Sequence, residues 1–283
     1  MEATTGARRL TQAAISFQDI QKVYRTDRRA VTAIEALSFE VSEGEYVCML
    51  GRSGCGKSTT VNLVLGLSRA TAGRIRVRGV DPVDDFGKLR GKVACVFQTD
   101  RLLPWRSIID NVRLPQEILN ISDADMPIRA SDWLRRLDLP GVEKSLPHEL
   151  SGGMRQRVAI ARALASNPEI LLADEAFGHL DEVTGQGLRR DFRQLAVEHG
   201  KTVLHITHSI EEAIAVSDRI IVLARPGKVL AEIGEVRSVG AQSREELRLH
   251  ILALLRQRDE SESGGLCDVR GATSGDLPIG GIE

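Results

Sequence analysis

The feature that most constrains this chain is Gly51-Arg52-Ser53-Gly54-Cys55-Gly56-Lys57-Ser58. The run fits G-x-x-x-x-G-K-[ST], a phosphate-binding loop when a strand precedes it and a helix follows. Both flanks comply. The apolar run from Glu45 to Leu50 reads as a strand, and Thr59 to Leu65 reads as a helix broken at Gly66. In that setting successive backbone N–H groups face one concavity, and the helix N-terminus adds partial positive charge. Glycines let the backbone wrap a phosphate without a Cβ in the way. Lys57 has the reach for β- and γ-phosphates, and the Ser58 hydroxyl suits Mg²⁺. The competing reading is a plain glycine turn with a surface lysine. The motifs further along count against it.

The rest of the chain supplies the core such a loop needs. The 283 residues are 42% hydrophobic, enough for one large α/β domain or two modest ones. Strand and helix patterns alternate after the loop. Arg74 to Arg78 alternates apolar and basic residues, and Lys92 to Phe97 reads as a buried strand. Strands are expected at 170–173, 203–206, 219–223 and 227–233, with helices at 183–198 and 210–216 between them. This alternation predicts a mainly parallel sheet with helices on its faces. Ahead of the loop, Ala14 to Tyr24 and Val31 to Val41 read as strands around a polar turn at 25–29, an antiparallel β unit.

Residues 99–165 differ. Five prolines between Pro104 and Pro147 punctuate helical patterns at 108–119 and 130–137, which makes the stretch a helical insert. Its last helix starts at Ser151, with apolar residues on one face and arginines on the other. The domain is therefore expected over 14–240, with a C-terminal helix over 241–258. Residues 1–13 and the Gly-, Ser- and acid-rich 259–283 read as disordered ends.

Charge and cysteines narrow the classes. With 38 basic and 39 acidic residues the net charge is −1, which argues against nucleic-acid binding by bulk electrostatics. No apolar run approaches the roughly 20 residues that span a bilayer, and the N-terminus shows no signal-peptide pattern. Cys48, Cys55, Cys95 and Cys267 have no metal-binding spacing. Cys48 and Cys95 sit in apolar strands, as core residues of a reduced, cytosolic protein do.

Two further elements carry chemistry. Ile170 to Ala173 is an apolar strand that ends in Asp174-Glu175, placing two carboxylates where phosphates bind in such folds. Asp174 suits Mg²⁺, and Glu175 suits activation of an attacking water. Leu150-Ser151-Gly152-Gly153-Met154-Arg155-Gln156-Arg157 opens a helix and makes a second anion-binding N-terminus. Two such sites on one chain suggest that a nucleotide is clamped between two copies.

The loop, Gln98 after a strand, the LSGGMRQR run, Asp174-Glu175 and the later Thr207-His208 together resemble the ATP-binding subunit of ABC transporters over about residues 14–235. The resemblance implies an ATPase converting ATP and water to ADP and phosphate, with ATP and Mg²⁺ as cofactors. It implies nucleotide contacts at Tyr24, by stacking on adenine, and along the loop from Gly51, Arg52, Ser53, Gly54, Cys55 and Gly56 to Lys57, Ser58 and Thr59. It implies contacts to a second subunit's nucleotide at Ser151, Gly152, Gly153 and Gln156, and a cross-dimer role for Asp181. Glu175, His208 and Gln98 would be catalytic, and Ser58, Gln98 and Asp174 would hold the metal. Two positions depart from the family pattern. Ala176 stands where proline is usual and should slightly loosen the turn after Glu175, and His179 stands where a small residue is usual.

Leu102-Leu103-Pro104-Trp105, with Asp110-Asn111-Val112 beyond, is similar to the nitrate/sulfonate/taurine importer group. Trp105 reads equally as a partner contact or as core. The resemblance implies a homodimer at the cytoplasmic face of the membrane, two permease subunits and an extracytoplasmic solute-binding protein, with no nucleic acid. A soluble ABC-type ATPase acting on nucleic acid or ribosomes is the alternative, as is an exporter ATPase. Against the first, only 92 residues separate Ser58 from Ser151, with no sustained heptads, and the chain carries one cassette.

Overall fold

A computed structural model describes residues 13–26, 29–178 and 180–263. In chain order the elements are β1 (Ala13–Thr26), β2 (Arg29–Ser42), β3 (Tyr46–Gly51), α1 (Lys57–Val64), β4 (Ala72–Val77), α2 (Phe86–Leu89) and β5 (Val93–Phe97). Then come α3 (Ile108–Leu119), α4 (Ala130–Arg136), α5 (Gly152–Ala165), β6 (Ile170–Asp174), α6 (Glu182–Glu198), β7 (Thr202–Thr207), α7 (Ile210–Val216), β8 (Arg219–Ala224), β9 (Gly227–Ile233) and α8 (Ala241–Ser263). The lead at 1–12, His179, Cys267 and the tail from 264 lie outside the described residues. The C-terminal helix runs to Ser263, past the boundary at 258 that the sequence suggested.

Among the described residues nine strands form one sheet in the order β4-β1-β2-β9-β8-β3-β7-β6-β5. β3 pairs in parallel with both β7 and β8, and β6 pairs in parallel with β5 and β7. All six residues of β3 are buried, as expected of a strand covered on both faces. The antiparallel β1–β2–β4 unit is present, but it is not a separate sheet. β2 joins β9 in parallel at Ile34–Gly227 and Ala36–Lys228. Only glycine fits at this seam, because a Cβ on Gly227 would lie 2.8 Å from the Ile34 Cα.

Side chains alternate across the sheet with the period of two that strands impose. Tyr46, Cys48, Leu50, Leu171, Ala173, Val203, Ile220 and Val222 face one core with residues of α3 to α8. Val47, Met49, Ile170, Leu172, Leu204, Ile206, Ile221 and Leu223 face the other with α1 and the antiparallel strands. Cys48 is buried, as the sequence suggested, but Cys95 is half-buried: β5 lies at the sheet edge and only its Val96 is buried. The helical insert is built on the first of these cores: Ile108, Val112, Trp133, Leu134 and Ile160 are all buried in it.

Candidate active site

Strand register assembles the site. Phe97 pairs with Asp174, Asp174 with Ile206, and Leu50 with Thr207. The next residues along these strands are Gln98, Glu175, Gly51 and His208, so all four emerge at one carboxyl edge, the edge that binds ligands in α/β sheets. Glu175 lies at the centre. Lys57 Nζ stands 3.6 Å from its Oε1, and Gln98 Nε2 and His208 Nδ1 each stand 3.5 Å from its Oε2. The Glu175 backbone adopts a left-handed φ of 48°, which costs a non-glycine residue strain and is typical of functional positions. Its N–H donates to the Ile206 carbonyl at 2.9 Å, and its carbonyl accepts from Gly178 N–H at 3.2 Å.

The phosphate loop has the expected form. Gly56 caps α1 at φ 87° with no side chain to satisfy the helix N-terminal amides, which leaves them for an anion. A Cβ at Gly56 would lie 2.7 Å from the Ala33 carbonyl oxygen. Lys57 is buried and donates to the Gly51 and Arg52 carbonyls at 2.7 and 3.2 Å. Cys55 is buried beneath the loop, while Arg52, Ser53, Gly54 and Ser58 are exposed and Thr59 is half-buried. Tyr24 is exposed on β1, its ring 4.8 Å from Lys22 Nζ.

Asp174 is half-buried, and burial followed by the charge of Glu175 raises its carboxyl above the usual range. The charges of Lys57 and Arg101 offset this only in part. Among the described residues no group of three or more His, Cys, Asp or Glu side chains forms a metal cage. A hydroxyl at Ser58 and one carboxylate at Asp174 fit Mg²⁺, which is held by one or two carboxylates together with phosphate oxygens rather than by an all-protein shell.

The Ser151 region forms a second cluster. Ser151 caps α5, its Oγ accepting from Met154 N–H at 3.3 Å. Gly153 packs against α6, where an added Cβ would lie 3.1 Å from Thr184 Cγ2. Asp181 caps α6 by accepting from Thr184 N–H at 3.0 Å, and these backbone bonds hold its carboxyl below the usual range. Among the described residues no hydrogen bond or ion pair joins Ser151 or Asp181 to Lys57 or Glu175.

Gln156 makes ties within the chain that the sequence does not show. It is buried, and its Nε2 donates to the Phe97 carbonyl at 3.2 Å and the Ala176 carbonyl at 2.6 Å. It ties the strand end before Gln98 to the turn after Glu175. The turn at Ala176 is therefore fastened without proline.

The arginine face of α5 makes ties as well. Arg155 Nε donates to Asp100 at 3.0 Å, and Arg162 donates to the Arg101 and Asp100 carbonyls at 2.7 and 2.6 Å. Arg157 donates to the Leu137 carbonyl at 2.9 Å. Buried Asn111 holds the loop after Gln98 from the other side, accepting from Leu103 N–H at 2.7 Å and donating to three carbonyls. Trp105, at the tip of that loop, is 73% exposed and so is not core.

Glu212 has no counterpart among the residues that the sequence singles out. It is buried, accepts from Thr207 Oγ1, and lies 3.7 Å from His205 Nε2. Thr207 Oγ1 in turn accepts from Ser209 N–H at 3.0 Å, which fixes the turn carrying His208. His205 is fully buried with Nδ1 3.0 Å from the Tyr46 hydroxyl, a structural histidine.

The chain is similar to known proteins in sequence and in fold. The ABC transporter family model matches residues 34–178. The taurine import ATP-binding protein TauB of Rhizobium johnstonii is 41% identical, with 83% of this chain and 93% of that protein covered. The nitrate import ATP-binding protein NrtD of Synechococcus elongatus is 38% identical over 78% of this chain and 81% of its own length. The aliphatic sulfonates import ATP-binding protein SsuB of Bacillus cereus is 35% identical over 89% and 97%. The dimeric structure of the bacterial ABC transporter cassette MJ0796 superposes with a TM-score of 0.68 at 35% identity, covering 78% of this chain and 98% of that one.

Proposed function

The chain belongs to the ABC transporter family, and from that premise we propose that it is the ATP-hydrolysing subunit of an importer for a small solute of the nitrate, sulfonate or taurine kind. The observation that carries the reading is the convergence of Lys57, Gln98 and His208 on the Glu175 carboxylate beside the phosphate loop. Relatives named for taurine, nitrate and sulfonate import support the importer class.

The roles follow from the chemistry. The amides at the start of α1 and Lys57 bind the phosphates, and Tyr24 offers a ring for the base. Lys57 exchanges its bonds to the loop carbonyls for bonds to phosphate oxygens. Glu175 accepts a proton from the attacking water, with Gln98 and His208 orienting that water and the terminal phosphate. Mg²⁺, when bound, would be held by Ser58, Asp174 and Gln98 and would neutralise charge on the phosphates. Ser151 makes no hydrogen bond to Lys57 or Glu175 among the described residues, and we assign Ser151, Gly152 and Gly153 to the nucleotide of a second copy. A homodimer closed around two nucleotides follows, with Asp181 positioned near the same seam by its cap on α6.

Gln156, Arg155 and Arg162 make the Gln98 loop and α5 one mechanical unit. Motion at Glu175 therefore reaches the insert and the Trp105 tip directly. Beside this unit an apolar groove of about 530 Å³ runs between α1, α2 and α3, lined by Leu67, Phe86, Leu114, Ile118 and Leu119. Leu67 in this groove is 70% exposed. We assign the groove and Trp105 to the permease. Among the described residues no helix is long and apolar enough to cross a membrane. The relatives named as import ATP-binding proteins support a peripheral place at the cytoplasmic face, against that permease.

The test is affinity capture of tagged protein from its own membranes in mild detergent, with partners identified by mass spectrometry. A multi-span permease in the eluate supports the reading. Ribosomal proteins or nucleic acid without a membrane protein overturn it.

A further inference from the structure

A cavity of about 980 Å³ lies between α6, the end of α7 and the turn at Val236–Ser238. It is as large as small-molecule sites in general. Among the described residues four arginines line it: Arg189, Arg190 and Arg193 of α6, and Arg237. One carboxylate shares the lining, Glu198, and it is engaged by Gln194 Nε2 at 2.8 Å. Val183, Val197, Ala215 and Val216 give the cavity an apolar wall.

The sequence builds this face. Arg189, Arg193 and Val197 follow at intervals of four, so they lie along one side of α6. Arg193 ties that side to α7, donating to the Val216 carbonyl at 2.5 Å and to the Asp218 carboxylate at 2.6 Å. Arg237 is anchored by its neighbour, buried Val236, whose N–H donates to the Asp218 carbonyl at 3.1 Å.

Two observations separate the cavity from a solvated basic face. Arg189 and Arg193 are each only 12% exposed, and the Nε of each is buried with no hydrogen-bond partner. Donors left in that state cost free energy until an acceptor reaches them. Arg189 is the less satisfied of the two, with a hydrogen bond to Glu182 at 3.2 Å and the Glu212 carboxylate 3.9 Å away. Secondly, the exposed side chains of Arg190 and Arg237 make no hydrogen bond or ion pair among the described residues.

We propose that this cavity is a second ligand site, for a small organic anion. The guanidinium groups of Arg190 and Arg237 take its oxyanion group, a sulfonate, phosphate or carboxylate, with Arg189 and Arg193 adding positive potential. Val197, Ala215 and Val216 take its apolar body. An inorganic oxyanion would leave that wall unused, so the site favours the organic class. Lys57, Gln98, Glu175 and His208 are absent from the lining, and the inference does not rest on the nucleotide reading.

The test titrates naphthalene sulfonate, naphthyl phosphate and naphthoate into the full chain by isothermal calorimetry. Uncharged naphthalene sulfonamide and inorganic sulfate are the comparisons. At least one of the three anions should bind more tightly than about 1 mM, and both comparison compounds should bind about tenfold more weakly than it does. Arg190→Gln with Arg237→Gln should weaken the best anion about tenfold or more, as lost charge-assisted bonds do. Both positions are exposed, so the ligand-free Tm of this variant should match wild type. Val197→Asp puts a like charge on the apolar wall and should weaken the same anion independently. No anion binding tighter than about 1 mM, a comparison compound binding as well as the best anion, or affinity unchanged within about twofold in either variant overturns the inference. Retained affinity in both variants would put the anion elsewhere, as on the phosphate loop.

Discussion

Replacing Gln156 with leucine separates two roles for this residue. A residue of similar volume without an amide leaves the Phe97 and Ala176 carbonyls without a donor in a buried place. Each buried carbonyl left unsatisfied costs about 1–3 kcal/mol. The two together cost about 2–6 kcal/mol. For a domain of this size 1 kcal/mol shifts Tm by roughly 2 °C, so thermal unfolding should drop by about 4–12 °C. The two ties also hold the strand end before Gln98 and the turn after Glu175, so kcat should fall about tenfold or more, as for a misplaced catalytic group. Nucleotide affinity should stay within about twofold, because Lys57 and the loop amides are untouched. Differential scanning calorimetry, steady-state ATPase kinetics and nucleotide titration read the three quantities. An unchanged Tm with a tenfold loss of affinity would refute the reasoning and return Gln156 to the nucleotide contacts expected from the sequence.

Other outcomes follow from the same geometry. Asp174→Asn removes a carboxylate that burial and Glu175 disfavour, so calorimetry should find the nucleotide-free protein more stable while Mg²⁺-dependent hydrolysis is lost. Burial lowers the folded-state value of His205, so its stability contribution is full above about pH 6.5 and is lost as pH falls towards the depressed value. His205→Gln should flatten this slope in denaturant titrations at several pH values, and His199, also depressed by burial, is common to both chains and cancels in the comparison. Leu67→Asp with Ile118→Asp changes exposed groove residues, so stability should move by no more than about 0.5 kcal/mol and basal ATPase should persist. Capture of the permease should fail; retention of the permease would remove the groove from the docking surface.

How much could be read from the chain divides along sequence distance. The phosphate loop, Asp174-Glu175 and the cap at Ser151 are local patterns, and β3 and β6 are apolar runs whose burial needs no partner to be foreseen. Gln98, Glu175 and His208 are each legible individually, but only register brings them to one edge. The ties are a different matter. Gln156 reaches back 59 residues to Phe97, and Tyr46 meets His205 across 159 residues. An arginine such as Arg162 looks solvated on a helical wheel, because the carbonyls that it holds belong to a loop 61 and 62 residues earlier. Glu212 is hidden for the same reason: an acid in the first turn of a short helix is ordinarily a surface residue, and here the Thr207 hydroxyl and His205 surround it.

The central claim is that Glu175 is the group through which the site hydrolyses ATP, and Glu175→Gln tests it most directly. Turnover and the mass of the Mg²⁺-ATP-bound protein should be measured on the same sample, by phosphate release and light scattering. The account predicts nucleotide binding close to wild type, turnover lower by about 10²–10⁴-fold, and a stable species of about twice the 31.0 kDa chain mass. A variant that hydrolyses ATP at the wild-type rate, or one that binds ATP and stays a monomer, would contradict it.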